Sequence, residues 1–508
     1  MSIVLGLDVG TSGTKAIAVD ASGKVVASAL VEYPLHSPKP NWAEQDPADW
    51  KRAAIEALSR LAHAPGIKVS DIKGLGLTGQ MHGSVFLDAN GRVLRNAILW
   101  CDQRTAKQCD DITSKVGARK LIEMVCNPAL TGFTAPKILW LRENEPEVYA
   151  KVRKVLLPKD YIRFELTSEF GTDVADASGT LLFDVKKRTW HKELMSLLDI
   201  PAEFMPRAYE GPEVTGHLSA DAAAATGLPK GIPVIAGGGD QAAGGVGCGI
   251  VRTGVISSTV GTSGVVFAFS DSVTLDPEGR VHTFCHSVPG KWHVMGVVLS
   301  AGGSLRWFRD ALCQPEKAVA ADTGRDPYEY ITAAAESVPP GAEGLVFLPY
   351  LTGERTPHKD PYAKGAFIGL SLRHTRAHMA RAVLEGVAYA MRDSLDIMRG
   401  MGVPITQARA SGGGAKSAFW RQMQADVNQA PLVTINVDEG PAYGAALLAT
   451  VATGMHKSVE EACDATIRVV DTCAPDAARS AAYNPWFAEY QAAYHALAPG
   501  FARAAKLI

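Results

Sequence analysis

A duplicated α/β fold, with a mixed sheet flanked by helices in each half, is the architecture this sequence predicts. Three observations predict it. Apolar runs at 3–9, 14–20 and 24–32, separated by short turns, open the chain as an antiparallel meander. The turn Gly10-Thr-Ser-Gly13 recurs as Gly261-Thr-Ser-Gly264 about halfway along. Strand patterns then alternate with helical ones in both halves.

Along the first half, 49–61 has helical periodicity, with Trp50, Ala53, Ala54 and Leu58 on one side. A glycine-punctuated strand follows over 72–78, and 84–94 predicts a hairpin whose Asn90-Gly91 is a type I′ signal. The stretch 105–225 reads as mostly helical. In the second half, strands at 255–260 and 265–269 flank the second turn. Helices are expected at 376–400, 415–430 and 441–454, with a strand at 406–410 leading into Ser411-Gly-Gly-Gly-Ala415. The boundary is placed in the glycine-dense stretch 237–249, giving expected domains 1–248 and 249–508.

The chain has 508 residues, too many for one ordinary core, and the repeated turn favours two large domains. With 47% apolar and 20% charged residues, it reads as globular rather than disordered or fibrous. A net charge of −2 offers no basic field to hold nucleic acid or an anionic membrane. No run of 18 apolar residues predicts a membrane span, and the N-terminus lacks a signal-peptide pattern. The eight cysteines form no CxxC pair and no zinc spacing, so they read as reduced thiols of a cytoplasmic protein.

The segment Leu5-Gly-Leu-Asp-Val-Gly-Thr-Ser-Gly-Thr-Lys15 puts one carboxylate, Asp8, at the end of an apolar run, directly before a turn free of bulk. Gly10 and Gly13 allow backbone N–H groups to approach a phosphate, and Thr11 and Ser12 add hydroxyls. Asp8 then stands where a Mg²⁺ ion would sit, or else caps its own turn. In Ile235-Ala-Gly-Gly-Gly-Asp240-Gln, three glycines let another surface approach, and one acid is presented at a helix start. Asp240 is either an N-cap or a base that takes a proton from an alcohol attacking a phosphoryl group.

Gln80-Met81-His82-Gly83 mixes donors with apolar surface, as a polyhydroxy substrate requires, although a lone histidine there is also an ordinary structural residue. Leu99-Trp100-Cys-Asp102-Gln-Arg104 offers an aromatic wall beside an acid–base pair, or a buried tryptophan and a surface ion pair. The glycines 412–414 would let an adenine lie against bare backbone, or form a plain strand-to-helix turn. Gly74-x-Gly76-x-x-Gly79 matches the dinucleotide pattern, but a hairpin rather than a helix follows it, which argues against that fold. No GxxxxGK[ST] loop is present.

Longer runs are more specific. Thr134-Ala-Pro-Lys-Ile-Leu-Trp140 and Gly365-Ala-Phe-Ile-Gly369-Leu370, with His378-Met379 and Ala382-Val-Leu-Glu385 after it, resemble the two signatures of the FGGY family of carbohydrate kinases. Asn41-Trp-Ala-Glu-Gln-Asp-Pro47, Gly79-Gln-Met-His-Gly83, Leu156-Leu-Pro-Lys-Asp-Tyr161 and Gly353-Glu-Arg-Thr-Pro-His358 resemble its members that phosphorylate D-xylulose. The resemblance implies two ribonuclease-H-like, actin-type ATPase domains with an interdomain cleft, the first on the sugar side and the second on the nucleotide side. It implies ATP and Mg²⁺ as cofactors, D-xylulose as the small-molecule partner phosphorylated at O5, and often a homodimer. It makes Asp240 the proton acceptor and Asp8 a residue of Mg·ATP activity. Met81 and His82 match a substrate-contact pair, with Gln80, Trp100 and Gln241 beside them. Gly261 and Thr262 match a phosphate loop, and Gly413, Gly414 and Ser417 an adenosine motif. Gln241 departs from the asparagine of some relatives. Ribulose, a deoxy-xylulose or glycerol remains open as the acceptor, since one hydroxyl's orientation is not legible in sequence. A chaperone or filament protein of the same superfold would lack the acid at 240.

Overall fold

In the computed structural model, which describes residues 2–507, the first apolar run forms β1 (Ile3–Val9), buried along its length except at Asp8. A strand covered on both faces reads as a continuous apolar run rather than an alternating one. β1 pairs antiparallel with β2 (Gly13–Asp20), and β2 with β3 (Val25–Glu32). On its other side β1 runs parallel to β4 (Ile72–Gly79). Beyond β4 lie β5 (Val214–His217), β6 (Pro233–Ile235) and the two-residue β7 (Gly238–Gly239), with β6 and β7 both parallel to β4.

A second sheet repeats the plan. β8 (Gly254–Val260) pairs antiparallel with β9 (Gly264–Ser270), which has β10 (Trp292–Val298) beside it. On the other side β8 runs parallel to β11 (Ile405–Ser411), and β11 parallel to β12 (Leu432–Ile435). β13 (Val469–Cys473) closes the edge antiparallel to β12. Five strands in each sheet therefore share one order, β3-β2-β1-β4-β6 and β10-β9-β8-β11-β12. The duplication expected from two short turns is a duplication of topology.

The chain divides into two compact units, neither continuous in sequence. The first comprises residues up to 252 with 269–293 and 439–468; the second comprises 253–268, 294–438 and 469 onward. A cut after residue 248 thus describes chain order, while the helix Gly440–Ala452 packs in the first unit on β1 and β4.

Alternation along β1 and β4 sends Leu5, Leu7, Leu75 and Leu77 to the core that holds Trp50 and Leu58 of the helix Pro47–Ala62. The opposite face carries Gly6 and Gly76, which are register partners. A Cβ on Gly6 would lie 2.0 Å from Ala442 O, and one on Gly76 1.9 Å from Ala445 O. The two glycines form a flat pad for the helix Gly440–Ala452; of the dinucleotide-like set, Gly76 serves this packing, while a Cβ on Gly74 would meet Thr453 Cγ2 at 2.7 Å and one on Gly79 would meet Val9 O at 2.8 Å.

Two local expectations need correction. Asn90 is not among the positive-φ residues, so the turn after 85–87 is not type I′. The Asp88 carboxylate accepts N–H bonds from Asn90 and Arg92 and shapes the turn instead, while Val85–Leu87 pairs with Lys154–Leu156. The helix expected at 415–430 spans Ala418–Asn428, preceded by a single 3₁₀ turn at Gly413–Ala415. All eight cysteines are free, and among the described residues no helix is long and apolar enough to cross a membrane.

Candidate active site

In the first unit the register across the sheet sets Lys15, Asp8, Thr78 and Gly238 side by side. Asp240 follows two residues later, as the first residue of the helix Asp240–Gly247. Asp8 and Asp240 thereby share the edge at the carboxyl ends of parallel strands, the usual place for ligands in open α/β sheets. The glycines before Asp240 are needed for this approach. Gly237 has φ of +74° and a Cβ there would meet Leu77 O at 1.7 Å, while one on Gly239 would meet Met81 Cγ at 2.7 Å.

Both carboxylates are partly exposed yet poorly solvated. Burial pushes Asp8 up to about 6, opposed by the charge of Lys15. Burial first, and the charge of Asp8 second, push Asp240 up to about 7, opposed by hydrogen bonds from the backbone and side chain of Gln241. Lys15 itself pairs with Glu439. Asp8 Oδ1 is buried with no hydrogen-bond partner in the protein. A carboxylate with a pKa near neutrality is suited to take a proton at physiological pH.

The turn after Asp8 is held from behind. Gly10 O accepts from Tyr33 Oη at 2.6 Å and from Gln80 Nε2 at 3.2 Å. Thr11 O accepts from Gln45 Nε2 at 2.7 Å, and Ser12 O from Tyr33 N at 3.3 Å. In a trans peptide the N–H points opposite to the carbonyl, so the N–H groups of Thr11 and Ser12 face away from these anchors. The orientation of this turn is thus fixed by side chains from elsewhere, while Gly10 N donates to Gly13 O at 3.1 Å within it.

Gln80, expected against the sugar, is a correction: it is 2% exposed, and its amide is engaged with Gly10 O, Gln45 Oε1 and Thr11 Oγ1. Trp100 is 40% exposed, with its indole N–H donating to Thr11 Oγ1 at 3.0 Å. Met81 is buried between Gly239 and Gly179. His82 has φ of +69°, and in the neutral ring its Nδ1–H donates to Gly179 O at 2.7 Å. Asp102 and Arg104 form a buried pair, not a surface one. Asp102 accepts from Ala43 N, and Arg104 also bonds Glu44 and lies over the Trp42 ring, so they secure the 41–47 strip.

Sequence reasoning missed the residues that hold the Met81–His82 loop. Lys137 is fully buried, donates to His82 O at 2.9 Å and Gly132 O at 2.7 Å, and is lowered to about 7 by burial. Thr134 Oγ1 donates to the same His82 O at 3.1 Å. Lys159 sits buried among Asp160, Asp173 and Asp176, tying the helix Pro158–Thr167 to the segment before Gly179. The signal was present, since Thr134, Lys137 and Lys159 lie in the long runs quoted above, but nothing local shows which carbonyl a lysine reaches.

The second unit carries its own cluster. Thr259 and Ser411 are register partners, so the turns 261–264 and 412–415 leave adjacent strand ends. Gly261 O accepts from Gly302 N, and Thr262 O from the N–H groups of Ala301 and Gly303, which seats the turn on the start of the helix Gly302–Leu312. Arg306 Nη2 donates to the exposed Thr262 Oγ1 at 3.1 Å. Gly413 is exposed with open space where a Cβ would be, whereas Gly414 is packed on Val260. Ser417 Oγ caps the next helix by accepting from Trp420 N.

Residues 3–247 match the N-terminal domain of the FGGY family of carbohydrate kinases, and residues 256–453 its C-terminal domain. A xylulose kinase of Escherichia coli K12 is 42% identical over 496 residues, covering 97% of this chain and 99% of its own. The crystal structure of a xylulose kinase from Rhodospirillum rubrum superposes with a TM-score of 0.91 at 34% identity, covering 98% of this chain and 99% of its own. That of a gluconate kinase from Lactobacillus acidophilus reaches 0.92 at 28% identity, covering 99% of each chain. The shared architecture therefore does not by itself select the sugar.

Proposed function

The chain belongs to the FGGY family of carbohydrate kinases, and from that premise we propose that it transfers the γ-phosphoryl group of ATP to O5 of D-xylulose, giving D-xylulose 5-phosphate and ADP. The observation that carries this reading is Asp240, partly exposed at a helix head and raised to about 7, beside Asp8 on one sheet edge. Near-full-length likeness to named xylulose kinases supports the choice of sugar.

On this reading Asp240 accepts the O5 proton as O5 bonds to the γ-phosphorus. The bond from that phosphorus to the β,γ-bridging oxygen breaks, and ADP leaves with the electron pair. Met81, His82, Trp100 and Gln241 orient the sugar. The turn at Gly10, Thr11, Ser12 and Gly13 directs N–H groups to phosphate oxygens, and Gly261, Thr262, Gly413, Gly414 and Ser417 bind the rest of the nucleotide. Family membership implies a divalent metal with ATP, and we assign Mg²⁺. Asp8 fits it, because its buried Oδ1 lacks a protein partner and is a hard oxygen donor. When bound, the ion offsets charge on the phosphates. Eight free cysteines support a cytoplasmic setting.

A coupled ADP-release assay over D-xylulose, D-ribulose, 1-deoxy-D-xylulose, glycerol and D-gluconate tests the assignment. The highest kcat/KM is expected with D-xylulose. Preference for another acceptor overturns the sugar, and ADP release with none of them overturns the whole reading.

A further inference from the structure

Gln45 lies in the run 41–47 and has no part in the chemistry above, yet it is 1% exposed and its amide is saturated. Nε2 donates to Thr11 O at 2.7 Å and to Pro34 O at 3.2 Å, while Oε1 accepts from Gln80 Nε2 at 2.9 Å and Trp50 Nε1 at 3.1 Å. A side-chain amide has two N–H donors and two lone pairs on oxygen, and all four are used. The orientation is therefore unique, because a flipped amide would set its oxygen against two carbonyls.

The two sides of this amide reach different parts of the site. One holds a carbonyl of the turn that orients N–H groups toward phosphate. The other holds Gln80, whose chain continues into Met81 and His82 and whose amide returns to Gly10 O. Trp100 joins the same network through Thr11 Oγ1. We propose that Gln45 is a positioning residue for phosphoryl transfer, fixing the phosphate turn and the sugar-side loop in one relative placement. Such a tie matters because a misplacement of about 1 Å can cost roughly 10²-fold in rate. The inference rests on the kinase reading, but not on which sugar is the acceptor.

The test uses Gln45→Glu and Gln45→Leu in the full chain, assayed from pH 6 to 8 with the sugar that the wild-type enzyme turns over fastest. Glutamate keeps the shape and the acceptor, but when ionised it sets an oxygen against Thr11 O and Pro34 O. When protonated it has one O–H, which restores a donor to the nearer carbonyl, Thr11 O. Relative to wild type at each pH, which removes the pH dependence that the two proteins share, Gln45→Glu is expected to lose at least tenfold in kcat at pH 8. It should recover most of that loss by pH 6, while Gln45→Leu stays depressed by a constant factor. Of the two adjacent acids, Glu44 is paired with Arg95 and Arg104, and Asp46 caps the helix Pro47–Ala62 by accepting from Ala48 N. Thermal melts report the folded fraction at each pH. Wild-type turnover per folded molecule in both variants, or a Gln45→Glu deficit that ignores pH, overturns the proposal. If Gln45→Leu fails to fold, the pH dependence of Gln45→Glu alone decides.

Discussion

Asp8 and Asp240 rise from one edge of the same sheet, close enough that the charge on Asp8 raises the pKa of Asp240. More than two hundred positions of chain separate them. On the proposed mechanism the pair divides the work, with Asp8 assigned to the metal and Asp240 to the proton.

Replacing the proposed base, Asp240, should separate chemistry from binding. Asp240→Ala is expected to lose about 10²–10⁴-fold in kcat, while D-xylulose still binds within a few-fold of wild type. Steady-state rates and titration calorimetry measure the two quantities. Retention of most of the turnover would remove Asp240 from its role.

Activity should follow the ionised fraction of Asp240, so kcat/KM is expected to rise with pH through about 7 and then level. Because the Asp8 charge raises that value, Asp8→Asn should move the acid limb to lower pH even as it weakens Mg·ATP activity. A carbonyl-carbon NMR titration of Asp240 in both proteins reads the shift without needing turnover.

Burial raises the folded-state pKa of Asp240, so protonation favours the folded state. That contribution is fully present below the unfolded value near 4 and is lost as pH rises through about 7. Asp240→Asn should therefore be more stable than wild type at pH 8, by about 1–2 kcal/mol after discounting for the open side. Little difference is expected at pH 4. Denaturant melts at both pH values compare them, and equal stabilities at pH 8 would contradict the strained carboxylate.

The glycine pad predicts a stability effect remote from the chemistry. Gly76→Ala would bring a Cβ within 1.9 Å of Ala445 O, a backbone atom with little room to move. A loss of about 1–3 kcal/mol is expected, as for other overpacked cores. Chemical denaturation checks it, and an unchanged midpoint would show that the helix Gly440–Ala452 is free to shift.

Much of the fold was legible because the relevant physics is local. The meander 3–32 followed from apolar runs and short turns, and the helix Arg376–Gly400 from its periodicity. Asp8 and Asp240 stood out because each ends an apolar run beside glycines that have no other local purpose. The turn at Asn90 was misjudged because the Asp88 carboxylate outcompeted the backbone preference of the following pair. Gln80 was misassigned because polarity near a strand end does not reveal whether an amide faces solvent or three buried partners.

From residue order alone came the two α/β halves, the family resemblance and the carboxylates expected to act, since periodicity, turn chemistry and long motifs are written along the chain. Only the tertiary structure decided that Gln45, Tyr33 and Gln80 hold the turn 10–13, that Lys137 and Thr134 hold the His82 carbonyl, and that the helix Gly440–Ala452 packs in the first unit. Hydrogen bonds and close packing between distant segments depend on register and burial, and those exist only once the sheets have formed.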